Sequence, residues 1–414
     1  MIKNKKIVTL ILIILSLKLN AQSGSVYTRY GLGDIQITNQ ANLFGIGGLD
    51  YAGNNKKYIN YNNPASLSLL KTTRFQTGLT TDGTKISNGT SSAMNYQTKF
   101  NGFSLGFPLQ KDYGIGFVLG VVPYTNVNYD VIQTKQTTGS ENYKNEFKGK
   151  GEISKLFFGI SYELPLNFSV GATFEYLVGN NFYASSITFE NSELTNSNFQ
   201  TTYKYRGLGT TIGLLSPDIA KGFGVKKFSD VRFGFIYNLF GNINADTIVS
   251  SITSLGSNEI KTGKFKIKFP TRFGFGLSFK YNRRYKLNFD YLFQPWNTFS
   301  VNNFNKSGLQ NFKRYSFGME YTKSEKKFGT FWELVKYRGG LSYEQTQYSI
   351  NGKGVNQFSF YGGISLPLGI RNTIDIGLMY GIRGNTNDNL ISENIFKAIV
   401  SVNLGELWFI RRER

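Results

Sequence analysis

From about residue 74 to residue 404 the chain is a succession of stretches in which apolar and polar side chains alternate, punctuated by Gly, Asn, Asp and Pro. A period of two predicts strands rather than helices. The clearest stretch runs from 264 to 280. Its odd positions hold Phe265, Ile267, Phe269, Thr271, Phe273, Phe275, Leu277 and Phe279, and its even positions include Lys266, Lys268, Arg272, Gly274, Gly276 and Ser278. A soluble strand usually has about five or six residues, so a run of this length is expected to cross a membrane. In lipid every backbone N–H and C=O needs a partner within the protein, and strands meet that demand only in a closed barrel.

The same pattern places further strands near 74–80, 96–107, 113–122, 147–162, 167–178, 201–215, 231–239, 285–293, 312–321, 337–348, 355–366, 373–383 and 395–404, fourteen in all. The expected fold class is all-β, a 14-stranded antiparallel transmembrane β-barrel with an N-terminal hatch. With the N-terminus in the periplasm, the long polar connections 125–146, 179–200 and 240–263 fall outside and short turns such as 108–112, 163–166 and 367–372 fall inside, as in bacterial barrels. Two inner connections, 216–230 and 322–336, are long. Phe168, Phe174, Tyr176, Ile376, Leu378, Phe396 and Val400 are assigned to lipid. Glu175, Arg232, Arg272, Lys286, Asp290, Arg314, Glu320, Asp375, Arg383 and Lys397 point inward, and Arg232, Arg272, Arg314, Asp290 and Glu320 are singled out as lumen charges. Lys264, Lys266 and Lys268 are read as an inward ladder at the outer rim. The competing soluble architecture, a secreted β-sandwich, has shorter strands and polar outer faces.

Composition narrows the chemistry. Lys3, Lys5 and Lys6 precede an apolar run from Ile7 to Leu17, and Ala21 offers a cleavage point before Gln22, so 1–21 is expected to be a signal peptide and the protein to be exported. The expected division is 1–21 signal peptide, 22–72 hatch and 73–414 barrel. The chain has no Cys and no His, which removes disulfides, a lipoprotein anchor, Ser-His and Cys-His catalysis and the usual zinc and haem ligand sets. No enzyme activity, metal or cofactor is expected. The formal charge is +21, and loss of the four lysines in 1–21 leaves +17. Nucleic acid is not the expected partner of an exported chain without a recognition helix or stacking motif. Outer-membrane lipid, lipopolysaccharide and acidic partner proteins suit the compartment. Aromatic residues at 16% match a lipid-facing surface with interfacial girdles.

Between 23 and 70 sustained alternation is missing. This region holds the Gly-rich run Gly45-Ile46-Gly47-Gly48 and the motif Asn63-Pro64-Ala65-Ser66-Leu67. With a signal peptide before it and fourteen strands after it, the chain resembles the FadL-type outer-membrane transport proteins and their PorV-like relatives in Bacteroidota. The resemblance implies that Gly45, Gly47, Gly48, Asn63, Pro64 and Ala65 belong to a hatch inside the barrel. Pro64 suits a first helical position, where a missing N–H costs nothing.

The third strand has an unusually small, apolar inner face of Gly114, Gly116, Val118, Gly120 and Val122, followed by Pro123. Glycines permit a bulge and proline cannot donate to a ladder, so pairing there can fail locally. By resemblance, such a kink opens the wall sideways for a hydrophobic ligand. The expected function is passive uptake of small hydrophobic molecules, fatty-acid or hydrocarbon-like, with lateral exit near strand 3. The alternative is a non-transporting barrel subunit of an envelope complex, for protein secretion or outer-membrane protein assembly, with the two long inner connections as docking sites for periplasmic or membrane partners. The terminal Leu407-Trp408-Phe409 resembles a barrel-assembly signal.

Overall fold

The computed structural model describes residues 24–136, 142–189, 196–220, 227–253, 256–323, 329–388 and 390–406. The expected signal peptide and the segment 407–414 lie outside the described residues. Sixteen strands of more than two residues build the wall. The first half contains β1 (Thr73–Ser87), β2 (Ser92–Gln110), β3 (Ile115–Gln136), β4 (Asn142–Glu163), β5 (Ser169–Phe189), β6 (Ser197–Leu215), β7 (Phe228–Phe240) and β8 (Asn242–Thr253). The second contains β9 (Gly256–Lys268), β10 (Arg272–Tyr281), β11 (Tyr285–Gln294), β12 (Phe312–Thr322), β13 (Lys336–Ile350), β14 (Lys353–Leu368), β15 (Asn372–Arg383) and β16 (Ser392–Glu406). β7 with β8, and β9 with β10, each make one wall strand in two pieces, so the wall has fourteen antiparallel strands. β16 pairs with β1 from Ser392–Ser87 down to Glu406–Thr73, closing the barrel. Among the described residues no helix is long and apolar enough to cross a membrane, and the crossing is made by strands.

Alternation sets the two faces. Phe158 and Phe174 stack outside at 5.2 Å, and Phe289 with Phe317 at 4.8 Å and Tyr380 with Phe396 at 4.9 Å make tilted contacts. These cross-strand aromatic pairs stabilise the sheet while presenting rings to lipid. The residues between them turn inward, where Glu175, Asp290, Arg314, Glu320, Asp375 and Arg383 are all buried.

The stretch 264–280 is not one strand. It breaks at Phe269-Pro270-Thr271, where the proline has no N–H for a ladder. The break reverses the faces. Below it Phe273 and Phe275 are exposed on the outer wall, whereas above it Ile267 and Phe269 are buried inside and Lys264, Lys266 and Lys268 are exposed outside. The neighbouring wall strand reverses at the same height: Phe233, Phe235 and Tyr237 are exposed below Gly241, while Ile243 and Ala245 are buried above it. The paired residues Ile243–Ile267 and Ala245–Phe265 then face inward together. The three lysines are therefore not an inward ladder. They coat the water-facing side of a sheet that has left the lipid, and its greasy side lids the lumen.

The polar stretches expected as long outer loops are largely strand. β3 and β4 stay paired from Gly116–Ser161 to Gln136–Asn142, and β5 and β6 from Ser169–Leu215 to Ile187–Ser197. Beyond the membrane both faces of a hairpin are wet, so hydrophobic alternation fades while backbone pairing continues. Of the long inner connections, 322–336 carries a helical turn, α2 (Phe331–Leu334), with Thr330 and Glu333 forming a capping box and Trp332 68% exposed; α1 (Ala41–Phe44) lies in the N-terminal segment.

The face reversal gives a direct expectation. In this cysteine-free chain, Lys266→Cys should react with a membrane-impermeant maleimide on intact cells, and Ile267→Cys should stay protected until the protein is denatured. A continuous strand with lysines inside would give the opposite order.

Candidate functional site

The segment from Gly24 to Leu70 has little regular structure of its own, and its core is the wall. Its residues 38–53 are almost all buried. Where its main chain comes closest to the wall, the wall residue is glycine. A Cβ on Gly171 of β5 would lie 2.6 Å from Ala65 N, and one on Gly234 of β7 2.7 Å from Ala52 N. Gly340 of β13 would meet Gly47 N at 2.7 Å and Gly377 of β15 would meet Ala41 O at 3.0 Å. These strands lie all round the barrel, so a belt of glycines seats the segment at backbone contact. Side chains there would overpack the lumen.

Polar anchors fix its orientation. Asn63 accepts from Ala65 N at 3.0 Å, capping the 3-10 turn Pro64–Leu69, and its amide donates to Tyr51 O at 2.6 Å and to Leu214 O of β6 at 3.0 Å. Ala65 is fully buried. Gly47 and Gly48 take φ of +90° and +85°, a left-handed turn that lets the Gly47 carbonyl accept from Arg314 at 2.5 Å. Gly45 packs on Gly363 of β14. Asp50 pairs with Lys286 of β11, and Asp34 pairs with Arg383 of β15 at 3.0 Å. Tyr51 N donates to Asp290 at 2.9 Å.

The remaining lumen charges are held within the wall by ion pairs or hydrogen bonds. Glu320 pairs with Lys336 at 2.7 Å and Arg338 at 2.8 Å, Arg338 reaches Asp375 at 3.3 Å, and Arg314 pairs with Glu344. Arg272 donates to Tyr124 Oη at 3.0 Å and to Gln294, and Arg232 donates to Ser216 O at 2.8 Å near the inner rim. Buried ions held this way offer few free groups to a passing solute.

One seam in the wall is open. β2 and β3 pair only from Gln110–Ile115 up to Phe103–Val121. Both strands then bend. On β2 the register with β1 slips beside Gly102, which has φ +74° and lies so close to Val121 that no side chain fits; on β3 the register with β4 slips at Pro123. Above this point the N-terminal segment takes the place of β2. Asp34 and Ile35 pair with Asn126 and Thr125, Gln36 N donates to Tyr124 O at 2.9 Å, and Gly24 N donates to Asn128 O at 3.0 Å. Asn39 donates to Pro123 O at 3.0 Å and accepts from Asn101 at 3.1 Å, and Asn128 bridges to Gln97 at 2.9 Å.

The inner face of β3 is covered. Val118 and Val122 cluster with Ile59, Tyr61, Leu67, Leu70 and Phe157, while Cβ atoms on Gly116 and Gly120 would strike Leu67 and Phe157. Gly114 is the left-handed residue of the inner turn, with φ +59°. Burial pushes the Tyr61 phenol up to about 12, so it adds no charge beside the seam. The cavity at the seam measures about 20 Å³, enough for roughly one water, and a polar one of about 110 Å³ lies above it among Asp82, Lys99, Gln97, Asn126 and Arg383. Sequence reasoning missed Asp34–Gln36, Asn39, Asn101 and Gly102. The break in alternation at Asn101-Gly102 was the available signal.

A sequence model of the BamG family matches residues 1–413. No curated protein matches the chain. Among solved structures, the toluene transporter TbuX of Ralstonia pickettii superposes with a TM-score of 0.60 at 15% identity, covering 90% of this chain and 98% of that one. The toluene transporter TodX of P. putida gives 0.58 at 16%, covering 91% and 99%. A Pseudomonas aeruginosa FadL homologue gives 0.56 at 11%, covering 90% and 98%. Identities this low show a common fold.

Asn63→Ala should remove the cap and leave the Tyr51 carbonyl without its side-chain donor, lowering stability by about 2 to 3 kcal/mol in denaturant titrations of the detergent-solubilised barrel. Asn63→Asp keeps the acceptor but sets a buried carboxylate against the Tyr51 and Leu214 carbonyl oxygens, so at neutral pH its midpoint should fall below that of Asn63→Ala.

Proposed function

Since this chain belongs to the BamG family, we propose that it is a plugged, non-conducting outer-membrane barrel that serves as a subunit of an envelope machine, and specifically of one that assembles outer-membrane proteins. The observation that carries this reading is the seating of residues 24–70 at backbone contact around the inner wall. A solute crossing the lumen has to displace a segment held by Asp50–Lys286, Asp34–Arg383 and the Asn63 anchors. Transport fits poorly with a lumen whose buried charges are held in ion pairs and hydrogen bonds and whose cavities are small. A structural subunit needs only its outer surfaces. Two are presented: Phe331 and Trp332 at the inner rim, 46% and 68% exposed, and the open side of β2. The closed barrel with its lipid-facing aromatic belt supports a location in the outer membrane.

A second reading, uptake of small hydrophobic molecules with lateral exit, is favoured by the seam at Gly102 and Pro123. The seam is bridged by Asn39, Asn101 and the Gln97–Asn128 bond, with Tyr61, Phe103 and Val122 beside them, and its cavity of about 20 Å³ is too small for a hydrocarbon ligand.

Gentle detergent purification from native membranes should return the protein with a stoichiometric outer-membrane assembly complex. Deleting the protein, or replacing Pro123 by Thr, should leave uptake of a fluorescent fatty acid unchanged. Bound fatty acid or hydrocarbon without a partner, together with reduced uptake in Pro123→Thr at normal surface level, overturns the reading in favour of transport.

A further inference from the structure

The seam has two sides, and only one is satisfied. On β3 the backbone above Val121 is paired by Asp34–Ile35, Gln36 and Gly24. On β2, residues Ser92 to Gly102 pair with β1 along one edge, and among the described residues no backbone group pairs with the other. This edge is at the height of lipid-facing rings. The register runs from Tyr96 through Gly83 to Phe396 and Tyr380, and Met94, Tyr96, Phe100 and Phe396 are all exposed on the outer face. The inner face of the same stretch carries Asn95, Gln97, Lys99 and Asn101. An unpaired backbone group in hydrocarbon costs several kcal/mol, so a ladder of them calls for an occupant that lipid cannot replace.

We propose that this edge of β2 receives a β-strand of a partner outer-membrane barrel, which extends the wall sideways in the outer half of the membrane. The proposal rests on the reading of the chain as a complex subunit and names the surface by which it joins. The occupant's chemistry follows from the edge. It is an alternating strand with apolar side chains toward lipid and polar ones toward Gln97 and Lys99. Its direction follows too. Every paired neighbour in the wall is antiparallel, and β2 runs inward from the outer surface, so the added strand runs outward. A second copy of this chain is the wrong occupant. Inserted the same way up, it would bring β2 beside β2 in parallel, and the outward-running edge of its β3 is already taken by its own N-terminal segment. The seam is thus an instance of strand addition to a sheet edge, performed within the bilayer.

The test places a photo-reactive benzoylphenylalanine at Thr98, exposed on the β2 edge, and at Phe289, exposed on β11 across the barrel, and irradiates cells of the native host. The expected result is an adduct at Thr98, absent at Phe289, whose cross-linked peptide maps to a membrane strand of another outer-membrane barrel. In the otherwise cysteine-free chain, Gln97→Cys with Asn128→Cys, bridged by a bis-maleimide with a disulfide in its spacer, would tie β2 to β3 across the seam. The Thr98 adduct should vanish in the bridged form and return when the spacer is reduced. Equal adducts at both positions, adducts to lipid alone, or adducts to a second copy overturn the proposal. If the assembly complex still co-purifies while Thr98 gives no barrel adduct, the seam proposal fails and the subunit reading stands. If neither is found, both fail.

Discussion

A backbone inside a bilayer has no water to bond to, and the structure is organised around that demand. Closure of β16 onto β1 leaves neither terminal strand of the sheet unpaired. The demand also bears on the seam between β2 and β3. Where Gly102 and Pro123 bend β2 and β3 apart, the N-terminal segment repairs the β3 side with main-chain bonds of its own. The segment is thus at once a filling for the lumen and a partial strand of the wall. Losing it would leave both a void and a row of bare carbonyls.

The inner glycines answer a second demand, that of space. A wall of this circumference encloses a lumen that ordinary side chains leave partly empty, and this chain fills it with main chain instead. Hydrogen in place of a side chain at Gly171, Gly234, Gly340 and Gly377 lets two backbones meet. Close contact strengthens dispersion and excludes water from the Arg314, Glu320 and Arg338 ion pairs. Above this layer the inward sides of β8 and β9, with Phe269, Trp296 and Tyr124, form an apolar lid. Polar seat and apolar lid together explain why both charges and aromatic rings are found deep inside the same barrel.

Much of this was legible in the sequence, because lipid on one side and protein on the other impose a strict period of two. Strand number, closure and the inward placement of Arg314, Asp290 and Glu320 follow from that period. It fails where its cause fails. Beyond the membrane both faces of β3, β4, β5 and β6 meet water, and strands there read as loops. Between Lys264 and Lys280 the odd positions are apolar save Thr271, yet the apolar side faces the protein core above Pro270 and lipid below it. Hydrophobicity records that a side chain avoids water and not which apolar phase receives it. The N-terminal segment was recognisable by its missing period and its Asn63-Pro64-Ala65 motif. Its contacts with Asn126, Asp290 and Gly340 were not, since they join residues far apart along the chain.

The glycine belt bears on how the molecule comes to exist. An inner wall stripped of side chains has nothing of its own to pack, so an empty cylinder of these strands would be underfilled and poorly defined. The residues that fill it precede every wall strand along the chain. The shape of the cylinder is thus set as much by the main chain it encloses as by the strands that enclose it.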